Sequence, residues 1–302
     1  MLQEHHIFLS TTFASDQSSI EDVLAICKDH DITQVELGSN HCYEEAPGDI
    51  VGNYSFTFLV HNYYPPPEEQ IVVNIASLDD AIRRQSISHI KNSIDFCRQI
   101  GAQLYTFHPG FLTDPRSANI DSSNYDFCFL DQDLHGTVYD ESFALMCDAL
   151  EEIVEFNKAQ GVRIALETEG SVTRSGHLLM QQPKEYEELF KKFKAEDLGI
   201  NLNIGHLGLA ANAFGFPANC LVDLLADRVV AMELSHNDGV TDDHKPLVEG
   251  AWYWDIVADN RFSKVLKVLE FRNVSIETII ANISLCESYF QCSHTSCVRI
   301  SR

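Results

Sequence analysis

The sequence predicts an α/β protein built as a single (β/α)8 TIM barrel with a long loop after its fourth strand. Three observations predict it. Short apolar runs alternate with helical patterns from one end to the other, eight such runs fall within 302 residues, and no Pro/Gly/Ser-rich linker divides the chain. Eight strand–helix units in roughly 300 residues match the size of a TIM barrel, whereas a doubly wound sheet more often stops at five or six strands. The barrel is assigned residues 1–290, and residues 291–302 form a polar tail.

In chain order the expected strands are His6–Ser10, Ile32–Leu37, Phe56–Val60, Leu104–Phe107, Val162–Leu166, Gly199–Leu202, Val229–Leu234 and Val274–Ile276. They are short and rich in β-branched or aromatic residues, as strands buried on both faces should be. The clearest helix begins at Ser77, where Ser77-Leu-Asp-Asp80 reads as a capping box, and Ile87, Ile90, Ile94 and Cys97 then recur at helical spacing. A second helix runs from about Asp140 to Ala159, with Met146, Leu150 and Ile153 on one face and Gly161 just past its end. The connection 111–139 carries Asp114, Asp121, Asp126, Asp131 and Asp133 against a single basic residue, Arg116. Loops of that length are usually functional or disordered, and this one is expected to cover the barrel mouth. Cys286, Cys292, His294 and Cys297 have no standard zinc spacing and read as a helix end with its tail.

Charge narrows the function. Asp and Glu total 45 against 21 Lys and Arg, a net charge of −24. Nucleic-acid affinity comes largely from Lys and Arg neutralising phosphates, so no nucleic-acid partner is expected. No run of about 18 apolar residues exists, which argues against a membrane span. The first residues lack the basic and apolar regions of a signal peptide, and nine cysteines, an odd number, suit reduced thiols. A cytoplasmic location is expected.

The residues able to do chemistry sit at the C-terminal ends of the expected strands. His61, His108, Glu167, Asn203 with His206, His236 and Glu277 all fall there. In a TIM barrel those ends converge on the face that holds the active site. Two buried glutamates need partners, because an unpaired charge inside a barrel is very costly. A divalent cation satisfies Glu167, Glu277 and His236 together; Mn, Mg, Co and Zn all suit carboxylate and imidazole ligands. The Asn-Asp-Gly turn after His236 brings an Asp242-x-His244 pair close to it, fit to hold a second metal or grip a hydroxylated ligand. Glu36 and Glu169 are candidates to face the same cavity, and Tyr63 and Tyr64 to stack on a ligand.

These residues carry a resemblance. The segments His61-Asn-Tyr-Tyr with Asn74-Ile-Ala-Ser77, Phe107-His-Pro-Gly110, Ala165-Leu-Glu167, Asn203-Ile-Gly-His206, the His236 to His244 loop and Ile276-Glu277 resemble the xylose-isomerase-like TIM barrels. That superfamily contains sugar isomerases and epimerases and the type IV apurinic endonucleases. Resemblance to the first branch implies one divalent metal held by Glu167, Asn203, His236 and Glu277, the two glutamates also serving as acid/base partners. Resemblance to the second implies three zinc ions held by His61, His108, Glu167, Asn203, His206, His236, Asp242, His244 and Glu277. Both branches use Asp where this chain has Asn203, which removes a negative charge.

The reading that follows is a metal-dependent isomerase or epimerase of a small carbohydrate or polyol. It acts by proton transfer next to a carbonyl through an enediolate, with Glu167 and Glu277 as the bases. His61, His108, His206, Asp242 and His244 then bind substrate or additional metal. The alternatives are a zinc-dependent phosphodiester hydrolase and a non-catalytic ligand-binding barrel. Association into a homo-oligomer stays open.

Overall fold

A computed structural model describes residues 7–14, 18–69, 71–114, 136–170 and 178–294. Eight parallel strands close into a barrel in simple sequence order: β1 (Ile7–Ser10), β2 (Gln34–Leu37), β3 (Thr57–His61), β4 (Leu104–Phe107), β5 (Arg163–Glu167), β6 (Gly199–Asn203), β7 (Val229–Leu234) and β8 (Leu266–Leu269). Strand β8 pairs with β1, Phe8 opposite Val268, which closes the ring. The helices are α1 (Ile20–Asp29), α2 (Pro47–Gly52), α3 (Asp80–Ile100), α4 (Gly136–Asn157), α5 (Pro183–Lys192), α6 (Ile204–Phe214), α7 (Ala218–Leu225), α8 (Trp254–Val257) and α9 (Ile276–His294).

The two-residue period of the strands separates two cores. Leu9, Val35, Val60, Phe107, Ile164, Ile200, Met232 and Leu269 point outward and pack against the helices. Phe8, Leu59, Leu104, Ala165, Ala231 and Val268 form a separate apolar cluster inside the barrel. Two residues further along each of those strands comes Ser10, His61, Thr106, Glu167, Glu233 or Glu270. The interior therefore changes from an apolar plug to a polar layer at one height, just below the C-terminal mouth.

Seven of the expected strands are present, with ends shifted by up to two residues. The eighth is corrected. Val274–Ile276 is not a strand: Asn273 turns the chain at φ 52°, Val274 donates its N–H to the Phe13 carbonyl, and the Ser275 hydroxyl accepts from the Thr278 N–H at 3.4 Å as α9 begins. Strand β8 is Leu-Lys-Val-Leu instead. Lys267 breaks its apolar run in the sequence, yet the side chain is buried, its Nζ donating to the carbonyls of Phe262 at 2.6 Å and Val265 at 2.8 Å.

The start of α3 is corrected as well. Asp79, not Ser77, caps it, accepting from Ala81 and Ile82, while Ser77 binds Asp114 at 2.7 Å. The face of α3 formed by Ile87, Ile90, Ile94 and Cys97 is buried as expected, and Gly161 stands at φ 71° beyond α4. Most of the long acidic connection, residues 115–135, lies outside the described residues, as do residues 295–302 of the expected tail 291–302, whose first four residues continue α9.

Candidate metal centre

The polar layer gathers most of the expected residues and rearranges the rest. His61 ends β3, His108 follows β4, and Glu167 ends β5; one ligand atom from each lies within 4.8 Å of the others. Glu167 Oε2 stands 3.8 Å from His61 Nε2 and 3.6 Å from His108 Nε2. His206, Asp242 and His244 form a second triad, with Asp242 Oδ2 at 3.4 Å from His206 Nε2 and 2.8 Å from His244 Nε2. The triads adjoin, because His206 Nδ1 lies 3.2 Å from Glu167 Oε1.

Two of the histidines are aimed by a hydrogen bond behind them, and a third faces a carboxylate. His108 Nδ1 meets Glu169 Oε1 at 2.7 Å, His61 Nδ1 meets the Thr106 hydroxyl at 2.8 Å, and His244 Nδ1 faces Glu270 Oε2 at 3.1 Å. Carboxylate–imidazole pairs of this kind fix the orientation and raise the basicity of a ligating ring nitrogen.

Three expected site residues stand elsewhere or differently. Glu277 lies exposed in the first turn of α9, outside the barrel, because β8 ends earlier. The carboxylate that β8 delivers to the mouth is Glu270. Its signal is in the sequence, two residues past Val268 in the inward register. His236 follows the same arithmetic to the opposite result. Ala231 belongs to the interior plug and Glu233 reaches Asn201 and Asn203, so the next inward position is Ser235, whose Oγ borders Gly205. His236 turns away and sets its ring 6.0 Å from that of Tyr253.

Asn203 is in the layer, where both ends of its amide are already engaged. Oδ1 accepts from the His206 N–H as the N-cap of α6. The amide Nδ2 instead donates to Glu167 Oε1 at 2.9 Å and Glu233 Oε2 at 3.0 Å.

The charges follow from this packing. Burial opposes ionisation throughout. Against it, Glu167 and Glu169 push His108 up to about 9, and Asp242 and Glu270 push His244 up to about 9. Asp242 and Glu167 hold His206 well above the usual histidine range. The three histidines around Glu167 in turn keep its carboxyl ionised. Deeper in, burial and the neighbouring carboxylates hold Glu36 and Glu233 well above the usual carboxylate range.

Metal ions fit both triads. Glu167 Oε2 and Asp242 Oδ1 are buried with no hydrogen-bond partner. Ligand atoms around a tetrahedral ion with bonds of about 2.0–2.2 Å stand roughly 3.3–3.6 Å apart, close to the spacing seen here. Two imidazoles and one carboxylate leave a coordination position open, the composition of catalytic rather than structural zinc sites.

The profile of the xylose isomerase-like TIM barrel matches residues 6–283. The chain belongs to that family. An uncharacterized protein of Methanocaldococcus jannaschii is 24% identical over 180 residues, covering 59% of this chain and 53% of that protein, so the match spans about half the length of that relative. A D-tagatose 3-epimerase-like protein superposes with a TM-score of 0.71 at 17% identity, over 95% of this chain and 98% of that one. Endonuclease IV of Thermus thermophilus superposes with a TM-score of 0.59 at 12% identity, over 95% and 99%. At these identities the likeness is one of fold. Both branches of the resemblance are represented, and enzymes dominate the family.

Proposed function

We propose that the chain is a divalent-metal-dependent isomerase or epimerase of a small carbohydrate or polyol. The observation that carries this reading is Glu167 Oε2, buried and without a hydrogen-bond partner between His61 and His108, in a mouth that also holds Glu169, Asp242 and Glu270. Such a mouth attracts cations and tolerates an uncharged hydroxylated substrate. The epimerase-like fold neighbour supports the same substrate class.

His61, His108 and Glu167, with His206, Asp242 and His244, are the groups that would hold metal. A bound divalent cation supplies Lewis acidity toward carbonyl and hydroxyl oxygens. Glu167 and Glu270 reach the mouth from β5 and β8, and one removes the proton next to the carbonyl while the other returns one to the enediolate. The helix-capped Asn203 holds Glu167 in place.

In D₂O, product should carry deuterium at the converted carbon. Glu167→Gln and Glu270→Gln should each lower conversion by at least about 10²-fold, while Glu277→Gln on the outer helix behaves as wild type. Unlabelled product at full conversion would replace proton transfer by direct hydride transfer.

A second reading, a zinc-dependent phosphodiester hydrolase, draws support from one observation. Both triads belong to the three-zinc set implied by the endonuclease branch, and both are assembled. Of the single-metal set Glu167, Asn203, His236 and Glu277, only the first two meet.

A further inference from the structure

One buried amide outside both triads ties together the segments that carry His108 and Glu169. Asn74 lies fully buried in the connection between β3 and α3, and its N–H donates to the Ser86 hydroxyl of α3 at 2.8 Å. Its Oδ1 accepts from the Phe111 N–H at 2.8 Å and the Ala76 N–H at 3.1 Å. Its Nδ2 donates to the Phe111 carbonyl at 3.0 Å and to Asp114 Oδ1 at 2.8 Å. That uses both donors and both lone-pair sites of the amide. Phe111 is thus gripped by its N–H and its carbonyl at once. The preceding Gly110 makes the grip possible, since it stands at φ 99° and a Cβ there would meet Asn74 Oδ1 at 2.3 Å. Only Pro109 and Gly110 separate His108 from the gripped residue.

We propose that Asn74 is a positioning residue: through Phe111 it sets both His108 and the carboxylate of Glu169 that orients it. This role rests on the proposed metal site at His61, His108 and Glu167. Phe111 forms an antiparallel bridge with Leu178, so the grip on one loop holds the other. The Leu178 carbonyl accepts from Gln181 Nε2 at 3.0 Å. Two residues beyond Leu178, the Met180 carbonyl accepts from the Glu169 N–H at 3.2 Å. Glu169 Oε1 then meets His108 Nδ1 at 2.7 Å. These contacts close a ring that runs from Asn74 through the loops after β4 and β5 to His108 and back along the chain to Phe111. A ligating imidazole depends on the partner behind it, and losing such support costs about 10–100-fold in metal affinity. The second triad, taken from α6 and the loop after β7, shares none of these residues. Asn74 therefore acts on one half of the centre.

Two variants test this. Asn74→Asp keeps the shape but turns the donors into an acceptor facing the Phe111 carbonyl and Asp114, whereas Asn74→Ser removes the amide without adding a charge. Metal-free full-length protein is titrated with Zn²⁺ in competition with a chromophoric chelator. Both variants should bind one zinc equivalent about 10–100-fold more weakly and the other as wild type does. Equal weakening of both equivalents, or of neither, would overturn the proposal. Hydrogen exchange of the metal-free protein gives a second readout. Asn74→Ser should speed exchange at the Glu169 amide as well as at Phe111. Faster exchange at Phe111 alone would reduce Asn74 to a local tie and also overturn the proposal. Should circular dichroism show Asn74→Asp unfolded, Asn74→Ser decides alone. A wild type that binds no zinc would refute the metal reading and this role with it, whereas unchanged zinc binding in the variants refutes the role alone.

Discussion

Asn203 shows how much one atom decides. With Oδ1 fixed as the cap of α6, Nδ2 faces two carboxylates and links them. Asn203→Asp keeps the cap and places a third negative oxygen between Glu167 and Glu233. Each lost hydrogen bond to a charged group costs about 1.5–3 kcal/mol. The metal-free variant should therefore melt below wild type, while its Mn²⁺ affinity rises because an anionic ligand now faces the layer. Calorimetry with chelator and with Mn²⁺ reads both; equal midpoints and equal affinity would show that the amide bridges nothing. The histidines make a pH prediction. His108 and His244 are held protonated up to about 9 by neighbouring carboxylates despite burial, against about 6.5 in an unfolded chain. A raised folded value contributes stability that is complete below about pH 6.5 and lost as pH rises through about 9. The metal-free midpoint should fall across that window, whereas metal affinity should rise, since ligating imidazoles must be deprotonated. A midpoint that is flat or rising from about pH 6.5 to about 9 would contradict the ion pairing of the two rings.

At the scale of elements, the centre depends on how closely the loop after β5 approaches α6. A Cβ on Gly170 would stand 2.2 Å from the His206 carbonyl oxygen and 2.8 Å from its carbon. Both are backbone atoms, so the overlap cannot be relieved by a rotamer change. Gly170→Ala should cost about 1–3 kcal/mol, as overpacking does, and should weaken zinc binding by displacing His206 and Glu169 together. A wild-type midpoint with wild-type zinc content would show that the loop simply yields. The elements themselves were legible to different degrees. Seven strands announced themselves through short runs of mostly apolar residues, and α3 through its buried stripe. Strand β8 did not, because Lys267 interrupts it and the carbonyls that accept its ammonium come from Phe262 and Val265. Losing that strand displaced the last carboxylate from Glu270 to Glu277. His236 was misplaced for a simpler reason: it lies one residue out of the inward register of β7, and a strand's two faces alternate strictly. His61, His108, Glu167, His206, Asp242 and His244 were found because each stands at a strand end or in the segment just beyond it. The interior partners Glu233 and Asn201 gave no signal as members of this cluster, since one polar residue inside an apolar run reads as an interruption.

The whole molecule carries a net charge of −24, and this bears on the choice between the two enzymatic readings. Duplex DNA presents a dense line of phosphates, and proteins that bind it offset their repulsion with Lys and Arg, whose counterion release supplies most of the affinity. Here the field runs the other way. Glu169, Asp242 and Glu270 stand at the mouth, and Asp114 lies at the start of the acidic connection after β4. Two zinc ions would contribute four positive charges locally, enough to hold one phosphodiester but not to draw a duplex across the surface. The protein, loaded with Zn²⁺, should therefore leave a labelled abasic-site duplex uncut at physiological salt. A short abasic oligonucleotide at raised salt provides the stricter trial, because fewer phosphates and stronger screening reduce the repulsion that would otherwise hide an active site. Cleavage there that disappears in Glu167→Ala would mean that the paired triads act as a phosphodiester hydrolase. Cleavage that persists in the variant would mark a contaminating nuclease. The absence of cleavage together with deuterium incorporation into a sugar would assign the same triads to carbohydrate chemistry.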